Sequence, residues 1–168
     1  MSRSRLQAAL GRVEVARGFT KQFLAGLTPE EWFWQPPEVT THIAWQVAHL
    51  SVAQYRLCLE RIRGREATDD AFMPASYVER FGLGSQPAAS AKNNPPLEEI
   101  QRIFDTVQAR SLAELNEQSD KALDVPLEQP RPLFKTKLEA VEWCAQHEFV
   151  HAGQIALLRR LMGKAPLR

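Results

Sequence analysis

Residues 147–163 read HEFVHAGQIALLRRLMG. His147 and His151 are four apart, which advances about 400° around an α-helix and leaves both imidazoles on one face, one turn apart. The segment that carries them opens with a capping box, Thr136-Lys137-Leu138-Glu139, and is stopped by Gly163, so it predicts one long last helix. Two ring nitrogens at ~2.0–2.1 Å from one ion are readily reached from that spacing. The alternative is two partly buried histidines that share a face.

A metal site needs a third ligand from elsewhere in space. The other two histidines lie in HIAWQVAHLSVAQ, residues 42–54. They are seven apart, which is nearly the same angular position but about 10.5 Å along a helix axis, so both cannot bind one ion. His49 sits among Trp45, Val47, Ala48, Leu50 and Val52, where an imidazole needs a partner. It is the expected third ligand, with a satisfied core histidine as the alternative. His42 stands near the helix start, where solvent or a cap satisfies it, and is expected at the rim or surface.

Four long segments carry a helical period and none of useful length carries a strand period. The first runs from about Ser4 to Leu27, with Leu6, Leu10, Val13, Phe19, Phe23 and Leu27 as its stripe. Thr28-Pro29-Glu30-Glu31 is a capping box for a short turn, ended by Pro36-Pro37. The second helix runs from Thr40 or Thr41 to about Arg63, ahead of Gly64. The third opens at Pro95-Pro96 and ends near Gln118. The expected fold class is all-α: a four-helix bundle over a single domain, residues 1–168. Helices one and two, joined by a short proline-rich stretch, should be antiparallel. About thirty residues separate helices two and three, far more than the ~2–8 of a tight reversal, so these two should run parallel with a long crossover between them. Within it, residues 76–79 suggest one further helical turn.

His147-Glu148-Phe149-Val150-His151 also has the HExxH form of zinc peptidases, in which Glu is the general base. Such enzymes draw a third ligand from downstream. Only 17 residues follow His151 here, and they include no His, Asp or Glu. A peptidase of the usual architecture therefore has no place for that ligand.

The lone central His of HIAWQVAHLSVAQ and the last helix HEFVHAGQIALLRRLMG together resemble the DinB-like superfamily, which includes the YfiT-like metal-dependent proteins and thiol-dependent S-transferases. The resemblance rests on HxxxHxGQI and on a Trp shortly before the first His, and it spans almost the whole chain. It implies a four-helix bundle with a long crossover between helices two and three, and a metal triad at His49, His147 and His151. It also implies chemistry with a low-molecular-weight thiol as co-substrate and a small electrophile as substrate.

Three neutral imidazoles leave a divalent ion its full charge and at least one open position, an arrangement suited to Lewis-acid work or to activating a water or thiol. A thiol that ligated the ion would be deprotonated there. Zinc or nickel is the expected metal, with iron next. Glu148 is the candidate catalytic residue: it points about 100° from His147 and could approach the open position from the side. The alternative is a solvent-facing or interhelical Glu. Gln154 either hydrogen-bonds near the site or packs the last helix. Cys144 shares the face of His147 as a fourth ligand or, more simply, as a small buried hydrophobe; Cys58 is too far along its helix to join. A non-enzymatic bundle that binds metal or senses a ligand is the second functional reading.

Composition limits the partners. The 44% hydrophobic and 24% charged fractions are those of a globular protein, and a net charge of +1 gives no strong footprint for nucleic acid or anionic membrane. Arg56, Arg61, Arg63 and Arg65 cluster, diluted by Glu60 and Glu66, and are expected as a solvated helix end. No apolar run approaches the ~20 residues of a membrane span. Two cysteines make no disulfide framework and the N-terminus lacks a signal-peptide core, so a cytoplasmic location is expected. Apolar bundle faces make a homodimer the expected assembly, if one forms.

Overall fold

The computed structural model describes residues 4–166; the outermost residues of the expected 1–168 domain lie outside them. Helix α1 is Arg5–Leu24, capped by the Ser4 hydroxyl, which accepts from the Gln7 amide. The Thr28 capping box forms with both of its reciprocal bonds and starts the one-turn α2, Pro29–Trp32. Helix α3 begins at Ile43–Tyr55 and continues without interruption through a π-helical stretch, Arg56–Glu60, into a last turn, Arg61–Arg63. Gly64, at φ +89°, ends it in a backbone region that side chains disfavour. The crossover contains a 3-10 turn at Ala67–Ala71, helix α4 at Ala75–Phe81 and a second 3-10 turn at Ala91–Asn93. Helices α5, Leu97–Asn116, and α7, Lys137–Leu161, complete the bundle, with the one-turn α6 at Asp120–Leu123 between them. The Thr136 capping box that opens α7 is formed as expected.

The fold is all-α with the long crossover in its expected place. Two apolar clusters give the helix directions. One gathers Ile43, Val47, Leu50, Ile100, Ile103, Phe104 and Ile155. The other gathers Leu6, Leu10, Val13, Leu115, Leu138 and Val141. Helices α3 and α5 run from the first cluster toward the second, so they are parallel, whereas α1 and α7 run the opposite way. Hydrogen bonds from Gln54 to Gln108 and from Arg63 to Glu114 keep α3 and α5 in that parallel register.

Between the clusters lies a buried polar layer. The Arg17 guanidinium donates to Glu148 at 2.7 and 3.2 Å, to Gln54 Oε1 at 2.6 Å and to the Phe104 carbonyl at 2.7 Å. Arg17 and Glu148 are each almost fully buried, and every donor face of the arginine has a partner, as a charge in a core requires. The crossover is pinned by a second network. Arg63 bridges Asp69 at 2.8 Å and Glu114 at 2.6 Å, and the Tyr55 hydroxyl donates to Asp69 at 2.8 Å.

Three expectations change. Between the third long helix and the last, where no strand was expected, the chain forms an antiparallel hairpin of β1, Pro126–Arg131, and β2, Phe134–Thr136. Its strands are too short and proline-broken to show alternation; Leu127 and Phe134 dock it on the second cluster. Phe19 leaves the α1 stripe and is 46% exposed, because six residues past Val13 is about 240° around the helix, and Thr20 takes the inward face. Arg63 and Arg65 are not a free solvated end but are tied to Asp69, Asp70 and the Met73 carbonyl. Among the described residues no helix is long and apolar enough to cross a membrane.

Candidate metal centre

Helix α7 places His147 and His151 on one face, and α3 presents His49 opposite them. The ring centroids stand 4.5 Å apart for His147–His151, 4.8 Å for His49–His151 and 5.3 Å for His49–His147. One nitrogen from each ring lies within 4.8 Å of the other two. Among the described residues no cysteine or carboxylate belongs to the cluster. The three residues selected in the sequence are brought together across two helices.

Hydrogen bonds set the state of two rings. The Nδ1–H of His49 donates to the Phe81 carbonyl at 2.7 Å, and the Nδ1–H of His151 donates to Gln46 Oε1. Gln46 is held in turn by Thr41, to whose hydroxyl its Nε2 donates at 2.9 Å. Each bond fixes the tautomer that leaves Nε2 with a free lone pair, the form a metal-binding imidazole requires. Trp45 stacks on His49 at 4.9 Å with only 10° between the planes, and so walls one side of the site. Burial keeps the rings neutral. It lowers His49, with Arg56 adding to the effect. Burial and then the neighbouring His49 bring His147 down to about 4, while burial followed by His147 and His49 brings His151 to about 3. Three neutral imidazoles, two of them preset in tautomer, converge from opposite sides and fit a divalent cation by the chemistry of the donor set.

The remaining candidates fall outside the cluster. Glu148 turns away, and both of its oxygens are taken by Arg17 in the polar layer. Cys144 lies in the second apolar cluster, its thiol pushed well up by contact with Cys58 and by burial. Gln154 is exposed and borders a cavity of about 460 Å³ beside His151. His42 is not at the surface: it is fully buried, accepts from the Trp45 amide on Nδ1 and donates from Nε2 to the Ala88 carbonyl, each at 3.1 Å. The crossover covers it, which its position near a helix start does not disclose. Gln46 and Arg17 were not among the expected site residues. Their signal was a polar or charged side chain on an otherwise apolar helical face.

A second cavity, of about 440 Å³, opens on His49 and His147; Leu57, Phe134, Trp143 and other apolar groups line it, together with Arg56, Arg61 and Arg131. Its size is that of a small-molecule site.

The family model of the DinB superfamily matches residues 12–155. No curated protein matches the chain. Among solved structures, the crystal structure of a conserved protein from Enterococcus faecalis superposes with a TM-score of 0.68 at 16% identity, covering 97% of this chain and 100% of that one, a likeness of fold. The chain belongs to the DinB superfamily.

Proposed function

We propose that this member of the superfamily is a metal-dependent enzyme, a thiol-dependent S-transferase that acts on small electrophiles. The observation that carries the reading is the triad itself: three neutral imidazoles, two of them set in tautomer, with no fourth protein ligand among the described residues, and with His49 and His147 open to a largely apolar cavity. A site that closed on four protein ligands would favour a structural role.

His49, His147 and His151 would hold the ion, zinc or nickel before iron. Bound there, the ion supplies Lewis-acid chemistry and makes a nearby thiol easier to ionise at neutral pH. The chain's own residues do the rest. Phe81 and Gln46 orient two of the imidazoles; Trp45 shields His49; Leu57, Phe134 and Trp143 offer an apolar wall to the electrophile. In the overall reaction the thiol sulfur bonds to the electrophilic carbon, the leaving group departs with its electron pair, and the thiol proton is released to solvent. Glu148 takes no part as base in this reading, since its carboxylate neutralises Arg17. The same pairing argues against the HExxH hydrolase reading. A cytoplasmic location accords with this thiol chemistry. The exposed side chains Val15, Phe19, Phe149 and Val150, with the two phenyl rings edge to face at 5.9 Å, support a homodimer.

The test is consumption of a model electrophile, such as 1-chloro-2,4-dinitrobenzene, with a panel of low-molecular-weight thiols. Turnover should need both metal and thiol and be lost in His151→Ala. Rates equal to the metal-free blank across the panel would remove the transferase reading and leave a metal-binding or ligand-sensing bundle.

A further inference from the structure

The cavity beside His49 and His147 is apolar in its walls but strongly positive at one end. Arg56, Arg61 and Arg131 all border it, and no Asp or Glu does. Arg61 is the telling residue. The other described arginines that are shielded from solvent have partners: Arg17 with Glu148, Arg56 with Glu60 at 3.7 Å, Arg63 with Asp69 and Glu114, Arg159 with two carbonyls. The Arg61 guanidinium has neither a hydrogen bond nor an ion pair among the described residues. Its guanidinium stands 5.6 Å from the centroid of Phe134, and burial lowers its pKa, with Arg131 next. Arg131, at the end of β1, is likewise without an anionic partner among the described residues. An unpaired guanidinium in a half-buried place is costly unless something brings it a negative charge.

The backbone is shaped to make this cluster. Across the π-helical stretch the Arg61 amide bonds to the Arg56 carbonyl, five residues back. In a regular α-helix residues five apart diverge by about 140°. The wider π turn brings Arg56 and Arg61 round toward one wall, and π turns of this kind concentrate at functional sites. The hairpin then sets Arg131 and Phe134 across from them. The nearby carboxylates do not fill the gap: Glu60 is engaged by Arg56, and Glu128 borders only the adjoining groove that shares the three arginines.

We propose that this cavity binds an organic carboxylate with an apolar body. Its acid group pairs with Arg61 and Arg131, and its body lies along Leu57, Phe134 and Trp143. Its other end is presented to His49 and His147. A bidentate guanidinium–carboxylate pair gives such a ligand both strength and orientation. This rests on the proposed metal-site function for what happens at the far end, but the anion site itself does not require the metal. The acid belongs either to the electrophile or to the thiol.

Calorimetric titration with 4-phenylbutyrate and its neutral analogue 4-phenylbutyramide tests it, on metal-loaded and metal-stripped protein. The acid should bind at least about tenfold more tightly than the amide, a difference of about 1.4 kcal/mol. Arg61→Gln should abolish that preference and Arg131→Gln should weaken it, with thermal melting little changed because neither guanidinium has a hydrogen bond or ion pair to lose. The preference should persist without metal, so that a failed metal site leaves this result readable. Equal binding of acid and amide, binding of neither, or a preference retained in Arg61→Gln would overturn the proposal. In a second arm, matched pairs separate the sources: 3-mercaptopropionate against 3-mercaptopropanol, and 4-(chloromethyl)benzoate against its amide. The reactant whose acid lowers KM, with the gain lost in Arg61→Gln, is the one that carries it; a gain for neither counts against the proposal.

Discussion

The Nδ1 of His49 lies 2.7 Å from the carbonyl oxygen of Phe81, so the last residue of the crossover helix holds a candidate metal ligand of the bundle. The crossover is thereby part of the site. Gly82, the next residue, has no room for a side chain: a Cβ there would sit 2.6 Å from the Val78 carbonyl oxygen, and the backbone would have to move. Gly82→Ala should therefore shift the Phe81 carbonyl and weaken metal binding about 10–100-fold in chelator competition, the usual effect of losing an outer hydrogen bond. Gly153→Ala, where a Cβ meets nothing within 4 Å, should leave affinity unchanged. Equal affinity in both variants would mean that the crossover does not orient His49.

Gln46 plays the corresponding part for His151. Gln46→Leu should lower metal affinity about 10–100-fold, while Gln46→Glu, which keeps an acceptor, should retain most of it. Competition titrations of the two variants side by side separate this orienting bond from a loss of packing.

Glu148 neutralises Arg17 inside the core, so its removal should be felt in stability and not at the metal. Glu148→Ala leaves a buried guanidinium without its charge partner and should cost about 3–5 kcal/mol in urea unfolding. The double variant Arg17→Met with Glu148→Leu should recover much of that loss. Metal content should be unchanged in both. A fall in metal content with stability intact would return Glu148 to the site.

Acid sensitivity should trace to Asp69. Burial alone raises its carboxyl, but the Arg63 guanidinium, the Glu66 amide and the Tyr55 hydroxyl outweigh that and hold it at about 2, below the ordinary 3.8. A carboxyl lowered on folding contributes stability above its unfolded value, and the contribution is lost as pH falls from about 4 through about 2. It amounts to about 2 kcal/mol. Asp69→Asn should lose stability at neutral pH and show a flatter decline between pH 4 and 2, read from urea midpoints across that range. An equally steep decline in the variant would place the acid-sensitive group elsewhere.

The triad was legible because each of its parts is a local pattern. A spacing of four fixes His147 and His151 on one face whatever surrounds them, and a lone imidazole in an apolar helix asks for a partner. The crossover was legible as length alone. What escaped the sequence was pairing over distance: Glu148 meets Arg17, 131 positions away, and nothing adjacent to either names the other. His42 was misplaced for the same reason, since the Ala88 carbonyl that satisfies and covers it arrives from the crossover. The hairpin at 126–136 and the π turn at Arg56–Glu60 depend on docking and on one extra residue per turn, and neither leaves a periodic trace.

In the proposed site His49, His147 and His151 hold one divalent ion between two helices. Elemental analysis of protein purified without an affinity tag, beside a His49→Ala variant prepared identically, tests it most directly. About one metal ion per chain is expected, lost in the variant. No metal in either protein, or the same metal content in both, would contradict it.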